Sequence, residues 1–255
     1  MDVWADLLLA PWIQSTTEET RRSQHILDPM CGHANMAPYL LRWSPHLTLN
    51  DISPNMLAHI DEHIRAQCHV LPACDSAHLT LDDESMDLIV FSGSLHHVHR
   101  NVLGVLREAR RILKPNGLLL FGEPSNEFLP VRLLRNCIYR LSSSFDHRTE
   151  RAFQWTQLRG YLQDAGFSQI SIRPFGSIGY LLMGQVSVIP LLKNLRSHRL
   201  FDVLNRIDRM VENNRWLCRS CFALVGSATK ITAGGQACER LENNDATSPG
   251  LVSRA

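Results

Sequence analysis

The sequence predicts an α/β protein built on one doubly wound sheet with helices on both faces. Three observations carry this. Short apolar runs alternate with helical stretches from His25 to Thr229. The first three runs, His25–Asp28, His46–Asp51 and Cys68–Asp75, each end in an acid. The fourth, Met86–Gly93, is apolar almost throughout, as a strand covered on both faces must be. The 255 residues suffice for one large domain or two small ones, and 44% hydrophobic with 20% charged residues is an ordinary globular balance. That balance excludes a wholly disordered, collagen-like or coiled-coil chain. No window of eighteen apolar residues offers a membrane span, and the apolar patch of the first twelve residues lacks the basic lead of a secretory signal.

Each element has a local reason. Residues 2–20 read as a helix with Leu7, Leu8, Leu9 and Trp12 near one face, and Thr16–Arg22 as its polar exit. Residues 1–24 are thus an N-terminal helical cap, with Trp4 and Trp12 expected to cover the site. A Gly-containing turn after Asp28 leads to a helix at Met36–Trp43. The helix at Pro54–Gln67 opens on Ser53 as N-cap with proline in its first turn. Asn101–Leu113 is amphipathic and closes on Lys114-Pro115-Asn116-Gly117, which supplies a cation, a proline and a turn glycine. Leu118–Pro124 is the fifth strand, Trp155–Ala165 a helix ended by Gly166, and Phe167–Pro174 a strand. Gly176–Trp216 is mostly helical and Ser220–Thr229 is the last strand. The main domain therefore spans 25–230 with a helical insertion at about 176–216, and the polar composition of 231–255 reads as a disordered tail. Ligands of such sheets bind outside the carboxyl ends of the strands, so Asp28, Asp51 and Asp75 are expected to line one crevice.

Seven cysteines, an odd number spread along the chain, point to free thiols in a reducing, cytoplasmic setting. Cys218 and Cys221 are the one close pair, and no further ligands follow at zinc spacing, so no metal is expected. The net charge of +1 hides an asymmetry: residues 1–99 carry 4 basic and 13 acidic side chains, and residues 100–255 carry 22 and 12. Acids in the first half suit a cationic or polyhydroxylated cofactor, and bases in the second suit an anionic substrate or surface.

Five blocks in order then become specific: Ile26-Leu27-Asp28-Pro29-Met30-Cys31-Gly32-His33-Ala34; Leu47-Thr48-Leu49-Asn50-Asp51-Ile52-Ser53-Pro54-Asn55-Met56-Leu57; Cys74-Asp75-Ser76-Ala77; Ser92-Gly93-Ser94-Leu95-His96-His97-Val98; and Leu106–Gly117 followed by Glu123-Pro124. Together they resemble the class I S-adenosylmethionine (SAM)-dependent methyltransferases, and within them the type 11 group around the ubiquinone and menaquinone C-methyltransferases. The resemblance covers His25 to Phe167, with Ser220–Thr229 as a fitting last strand. It implies a Rossmann-like sheet of about seven strands, the last antiparallel, and SAM as cofactor. It assigns Asp28, Gly32, Asp51, Ile52, Asp75, Ser76 and Ser92 to cofactor binding. Asp51 would accept hydrogen bonds from the ribose hydroxyls and Asp75 one from the adenine amino group. Met30 and Ala34 stand where the family commonly has glycine, and Asn116 replaces another.

For catalysis the candidates are His97, His96 and Glu123. Neighbours on an extended backbone point to different sides, which favours one histidine, His97, at the methyl acceptor. Glu123, at a strand's carboxyl end, is expected to face substrate. The implied activity is methyl transfer to a small-molecule, lipid or glycan-type acceptor. The alternative is a catalytically silent methyltransferase-like binding or scaffold protein, which Met30 and Ala34 keep open. A nicotinamide dehydrogenase lacks its GxGxxG here. No nucleic-acid partner is expected, since no Asn/Asp-Pro-Pro-Tyr/Phe follows the fourth strand. Residues 180–199, apolar and then basic at Lys193, Arg196 and Arg199, suggest peripheral membrane contact or a lid. Residues 125–154, with Arg132, Arg135, Arg140, Arg148 and Arg151, are the other substrate-side segment.

Overall fold

The computed structural model describes residues 2–130, 132–133, 151–177, 198–214 and 216–231. Among them one sheet has the strand order β3-β2-β1-β4-β5-β7-β6. The strands are β1 (Ile26–Asp28), β2 (Leu47–Leu49), β3 (His69–Val70), β4 (Met86–Ser92), β5 (Leu113–Pro124), β6 (Ser168–Phe175) and β7 (Ala223–Thr229). β1 to β5 are parallel, while β7 runs antiparallel between β5 and β6. The order of winding reverses between β1 and β4, which makes the carboxyl ends there the switch point where a crevice opens. The last strand is antiparallel as expected, and it lies inside the sheet with β6 outside it.

The helices are α1 (Asp2–Ser15), α2 (Glu18–Ser23), α3 (Ala37–Leu41), α4 (Pro54–Ala58), α5 (Glu62–Arg65), α6 (Val102–Ile112), α7 (Trp155–Asp164) and α8 (His198–Asn213). Side chains alternate across the sheet with period two. Ile89, Phe91, Leu119 and Phe121 meet α6 and α7 through Val105, Leu106, Ala109, Leu158 and Leu162. Leu88, Val90 and Leu120 face the opposite way and meet Leu8, Leu9, Trp12, Ala37, Leu40 and Leu57 of α1, α3 and α4. This two-sided burial is why β4 reads as a continuous apolar run.

Several elements are shorter than the sequence pattern suggests, each for a local reason. The expected helix at Pro54–Gln67 is broken in two, because the Asp61 carboxylate accepts from the N–H groups of His63 (2.9 Å) and Ile64 (3.3 Å) and starts α5 afresh. The N-terminal helix ends at Ser15, and Thr17 caps α2 through the Thr20 N–H. Arg21, expected in a polar exit, is buried: its guanidinium donates to the carbonyls of Ile13 (2.9 Å) and Thr16 and lies 4.6 Å from the Trp43 ring. The third strand shrinks to His69–Val70, at the edge of the sheet, where its last bond to β2 is the Leu71 N–H donating to the Leu49 carbonyl at 2.9 Å. The turn expected at Lys114–Gly117 is a bulge within β5, where the pairing jumps from Met86–Leu113 to Leu88–Leu118 and Asn116 adopts φ +62°. Trp12 does not cover a site: it is buried in the core and donates to Gln24 Oε1 at 2.7 Å.

β7 has no room at Gly226. A Cβ there would stand 2.2 Å from the Ser171 carbonyl oxygen and 2.5 Å from Phe121 Cζ. Gly226→Ala should therefore destabilise the fold by about 1–3 kcal/mol or more, since backbone on one side and a packed ring on the other must both shift. Urea unfolding reads this as a lower midpoint at unchanged m-value.

Candidate active site

The crevice at the switch point is built by polar side chains that answer for the loop backbone. Asp28 closes β1 and is 3% exposed. Burial pushes its carboxyl up to about 7, against the lowering hydrogen bond from the Met30 N–H, and the charge of Asp51 adds to the rise. The turn beyond it places Gly32 at φ +54° and Ala34 at φ +58°. Ala34 thus takes the left-handed conformation that favours glycine. A Cβ on Gly32 would meet nothing within 4 Å, so the backbone there borders open space.

Asp51 follows β2 and is partly exposed. Its Oδ2 accepts the Gly32 N–H at 2.9 Å and its Oδ1 the Ser53 N–H at 2.9 Å. The carboxylate therefore fixes both the glycine turn and the start of α4, with lone pairs remaining on each oxygen. Ile52 beside it is 65% exposed, an apolar side chain standing in solvent at the rim. Asp75 is exposed, and its Oδ1 accepts the Ala77 N–H at 2.9 Å. Ser76 is buried and donates to the Pro29 carbonyl at 2.7 Å, so its hydroxyl joins the β3 loop to the β1 loop.

Sequence reasoning missed Asn50. It is fully buried, donates from Nδ2 to the carbonyls of Pro29 and Cys74 (3.0 Å each), and accepts from Cys74 Sγ at 3.2 Å. Its backbone also pairs with Asp28 and Cys31. The available signal was an amide directly before the acid, on a strand with no solvent face.

The ends of β4 and β5 form the other wall. Ser92 Oγ accepts from Trp4 Nε1 at 3.0 Å, and the Trp4 ring fills the space that a side chain at position 122 would need. Glu123 is 1% exposed. Its Oε1 accepts the N–H groups of Ser94 (3.0 Å) and Leu95 (2.8 Å), and its Oε2 accepts that of His96 (3.2 Å). His96 Nδ1 lies 2.9 Å from the same Oε2. The carboxylate is thus occupied inside the protein and does not look out onto the crevice as expected.

Leu95–Val98 form a 3-10 turn, so the extended backbone that favoured His97 is absent. The two rings lie face against face, 4.0 Å between centroids and tilted by 35°. His96 is the one held by Glu123, its side chain 12% exposed, while His97 is exposed. Arg151 N–H donates to the His96 carbonyl at 3.2 Å. Arg135, Arg140, Arg148, the run 180–192, Lys193, Arg196 and the tail beyond 231 lie outside the described residues. Cys221 is buried, and its thiol is pushed up to about 12, first by burial and then by Glu212.

A switch-point crevice with a glycine turn, an acid after β2 and a second after β3 is similar to the plan of the class I SAM-dependent methyltransferases, and part of the chain matches a methyltransferase family model. Residues 27–121 match the family model described as "Methyltransferase domain", a span from β1 into β5. Ribosomal RNA-processing protein 8 of Rattus norvegicus is 41% identical over 68 residues, 27% of this chain. The chain spans only 14% of that relative's length. Demethylmenaquinone methyltransferase of Staphylococcus epidermidis is 25% identical over 190 residues, 66% of this chain and 78% of the relative. Among solved structures the cyclase SpnF superposes with a TM-score of 0.63 at 18% identity, over 91% of this chain and 82% of that one, a likeness of fold.

Asp28 gives a pH test of the ligand-free chain. Between its ordinary 3.8 and about 7 the folded state keeps a proton that the unfolded state has lost. Stability from this group is therefore present at low pH and declines as pH rises through that window, by up to about 4 kcal/mol. Asp28→Asn removes the titration, so its stability relative to wild type should rise from pH 4 to pH 8 in parallel urea titrations. A constant difference across that range would contradict the buried-carboxyl account.

Proposed function

We propose that the protein transfers a methyl group from SAM to a small-molecule, lipid or glycan-type acceptor. The observation that carries this is Asp51, anchored by the Gly32 and Ser53 N–H groups beside the open face of the Gly32 backbone. The donor set fits the cofactor. The remaining lone pairs of Asp51 suit two ribose hydroxyls, exposed Ile52 offers an apolar face to a base, and Asp75 with Ser76 suits the adenine edge. A cation held near Asp28 would favour its ionised form. Ala34 already holds a glycine-type dihedral, which weighs against the silent-scaffold reading.

SAM supplies a methyl group on a sulfonium centre, so the protein mainly orients the acceptor and excludes water. His96 handles the proton. With Nδ1–H donated to Glu123, its Nε2 carries the lone pair and can take a proton from an acceptor hydroxyl or amine. Glu123 is a positioning residue that sets the tautomer and braces the turn. The demethylmenaquinone methyltransferase relatives, matched over about three quarters of their length, support a small-molecule acceptor with lipid character. The apolar residues of the 180–199 segment agree with that class.

Asp51→Ala should weaken SAM binding by about 1.5–3 kcal/mol, roughly tenfold to a hundredfold, by titration calorimetry. Asp51→Asn keeps an acceptor oxygen and should fall between. Wild-type affinity in a folded Asp51→Ala protein would remove the ribose assignment.

The acceptor is to be found by mass spectrometry of a metabolite extract from the source organism with methyl-labelled SAM. On that acceptor, His96→Ala should lower kcat by about 10²–10⁴-fold. SAM affinity should hold. Glu123→Gln should also lower kcat, while His97→Ala should change it little. A reversed ranking of the two histidines would transfer the base to His97.

A further inference from the structure

We infer that α8 and the turn after it dock the protein on an anionic lipid surface. The buried side of α8 is engaged at the side chains described there. Asp208 bonds the Ser177 hydroxyl, Glu212 Oε1 accepts the Gly176 N–H at 2.9 Å, and Leu204 is buried. The opposite side presents Val203, Ile207 and Met210, spaced i, i+4, i+7 into one stripe, and Met210 is 73% exposed. Directly beyond the helix, the Asn214 side chain accepts the N–H groups of Trp216 (3.0 Å) and Leu217 (3.1 Å). It holds Trp216, 75% exposed, and Leu217 at the end of the stripe.

Charge decides what kind of partner fits. Among the described side chains, Arg206 and Arg219 are exposed, while Asp208 and Glu212 bond on the buried side. An apolar stripe ending in Trp, with exposed arginines on the same segment, matches the interface of a bilayer with negative headgroups. The surface also sits at the site's end of the sheet. Gly176 follows β6, its carbonyl accepts the Phe222 N–H, and the Phe222 carbonyl accepts the Ser125 N–H just past Glu123. Docking would thus bring the crevice end of the sheet to acceptors in the bilayer. That consequence rests on the methyl-transfer reading; the docking itself does not.

The test is co-sedimentation of the full chain with phosphatidylcholine vesicles containing about one third phosphatidylglycerol, with pure phosphatidylcholine vesicles as reference. Binding should favour the anionic vesicles and fall with salt. Met210→Glu should weaken it roughly tenfold to a hundredfold, and Arg206→Gln with Arg219→Gln roughly thirtyfold together. Brominated lipid should quench tryptophan emission in wild type and not in Trp216→Phe, a readout that needs no destabilising change. No binding, or binding indifferent to these variants, overturns the proposal. A dimer in light scattering that Met210→Glu dissociates would give the surface to a second copy of the chain and overturn it equally. Because no step measures turnover, failure here leaves the SAM titration to judge the enzymatic reading separately.

Discussion

The side chain of Asn50 and the carbonyl of Pro29 join the loops that leave β1, β2 and β3, and the crevice depends on that junction. A loop leaving a parallel strand has backbone groups with no ladder to pair them, and buried without partners each costs about 1–3 kcal/mol. Here the Pro29 carbonyl receives both the Asn50 amide and the Ser76 hydroxyl, and Asn50 reaches on to Cys74. Asp51 does the same for Gly32 and Ser53, and Glu123 for Ser94, Leu95 and His96. Each loop is thus answered by a side chain from a neighbouring loop or strand, and the crevice stays shaped without a ligand. In the proposed reading, the cofactor is met by what these groups have left: spare lone pairs on Asp51, and the open face of Gly32.

The sheet was legible because its signals are local. The near-continuous apolar run of β4, proline and cap residues at helix starts, and an acid after each early strand are all readable within a few residues. The residues proposed to bind the cofactor were readable for the same reason, since they sit in contiguous blocks. What stayed hidden is non-local. Nothing near Glu123 announces that its carboxylate serves N–H groups 27–29 residues earlier in the chain. Asn50 reads like a turn residue until the sheet buries it. The break at Asp61 was missed for a different cause: a cap bond within two or three residues outweighs the weak helix propensity of the surrounding stretch.

The charge asymmetry of the sequence has a spatial meaning. Asp28, Asp51 and Asp75 follow the first three strands at one end of the sheet, and close acids resist ionising together, which helps hold Asp28 near neutrality. The arginines of the second half that the structure describes at Arg151, Arg206 and Arg219 are exposed. A site that favours cations and an outer surface that favours anions can coexist because they belong to opposite halves of a doubly wound chain. α1 bridges the two, since Trp4 spans Ser92 of β4, Gly122 of β5 and the Phe175 ring of β6. Gly122 is the residue that permits this: a Cβ there would stand 2.4 Å from the Trp4 ring.

The same geometry determines which of the two histidines can report on chemistry. Glu123 serves the turn and the imidazole with one carboxylate, so removing it disturbs the structure and the proposed proton transfer together. His96 differs, because its ring is only one of four groups on that carboxylate and the other three are backbone N–H groups. Truncating the His96 side chain leaves those three in place, and the 3-10 turn keeps its brace. His97 lies on the exposed side of the ring pair. A rate lost at position 96 with cofactor affinity intact therefore measures the proton step itself, whereas the same loss at position 123 would not separate the step from the shape that supports it.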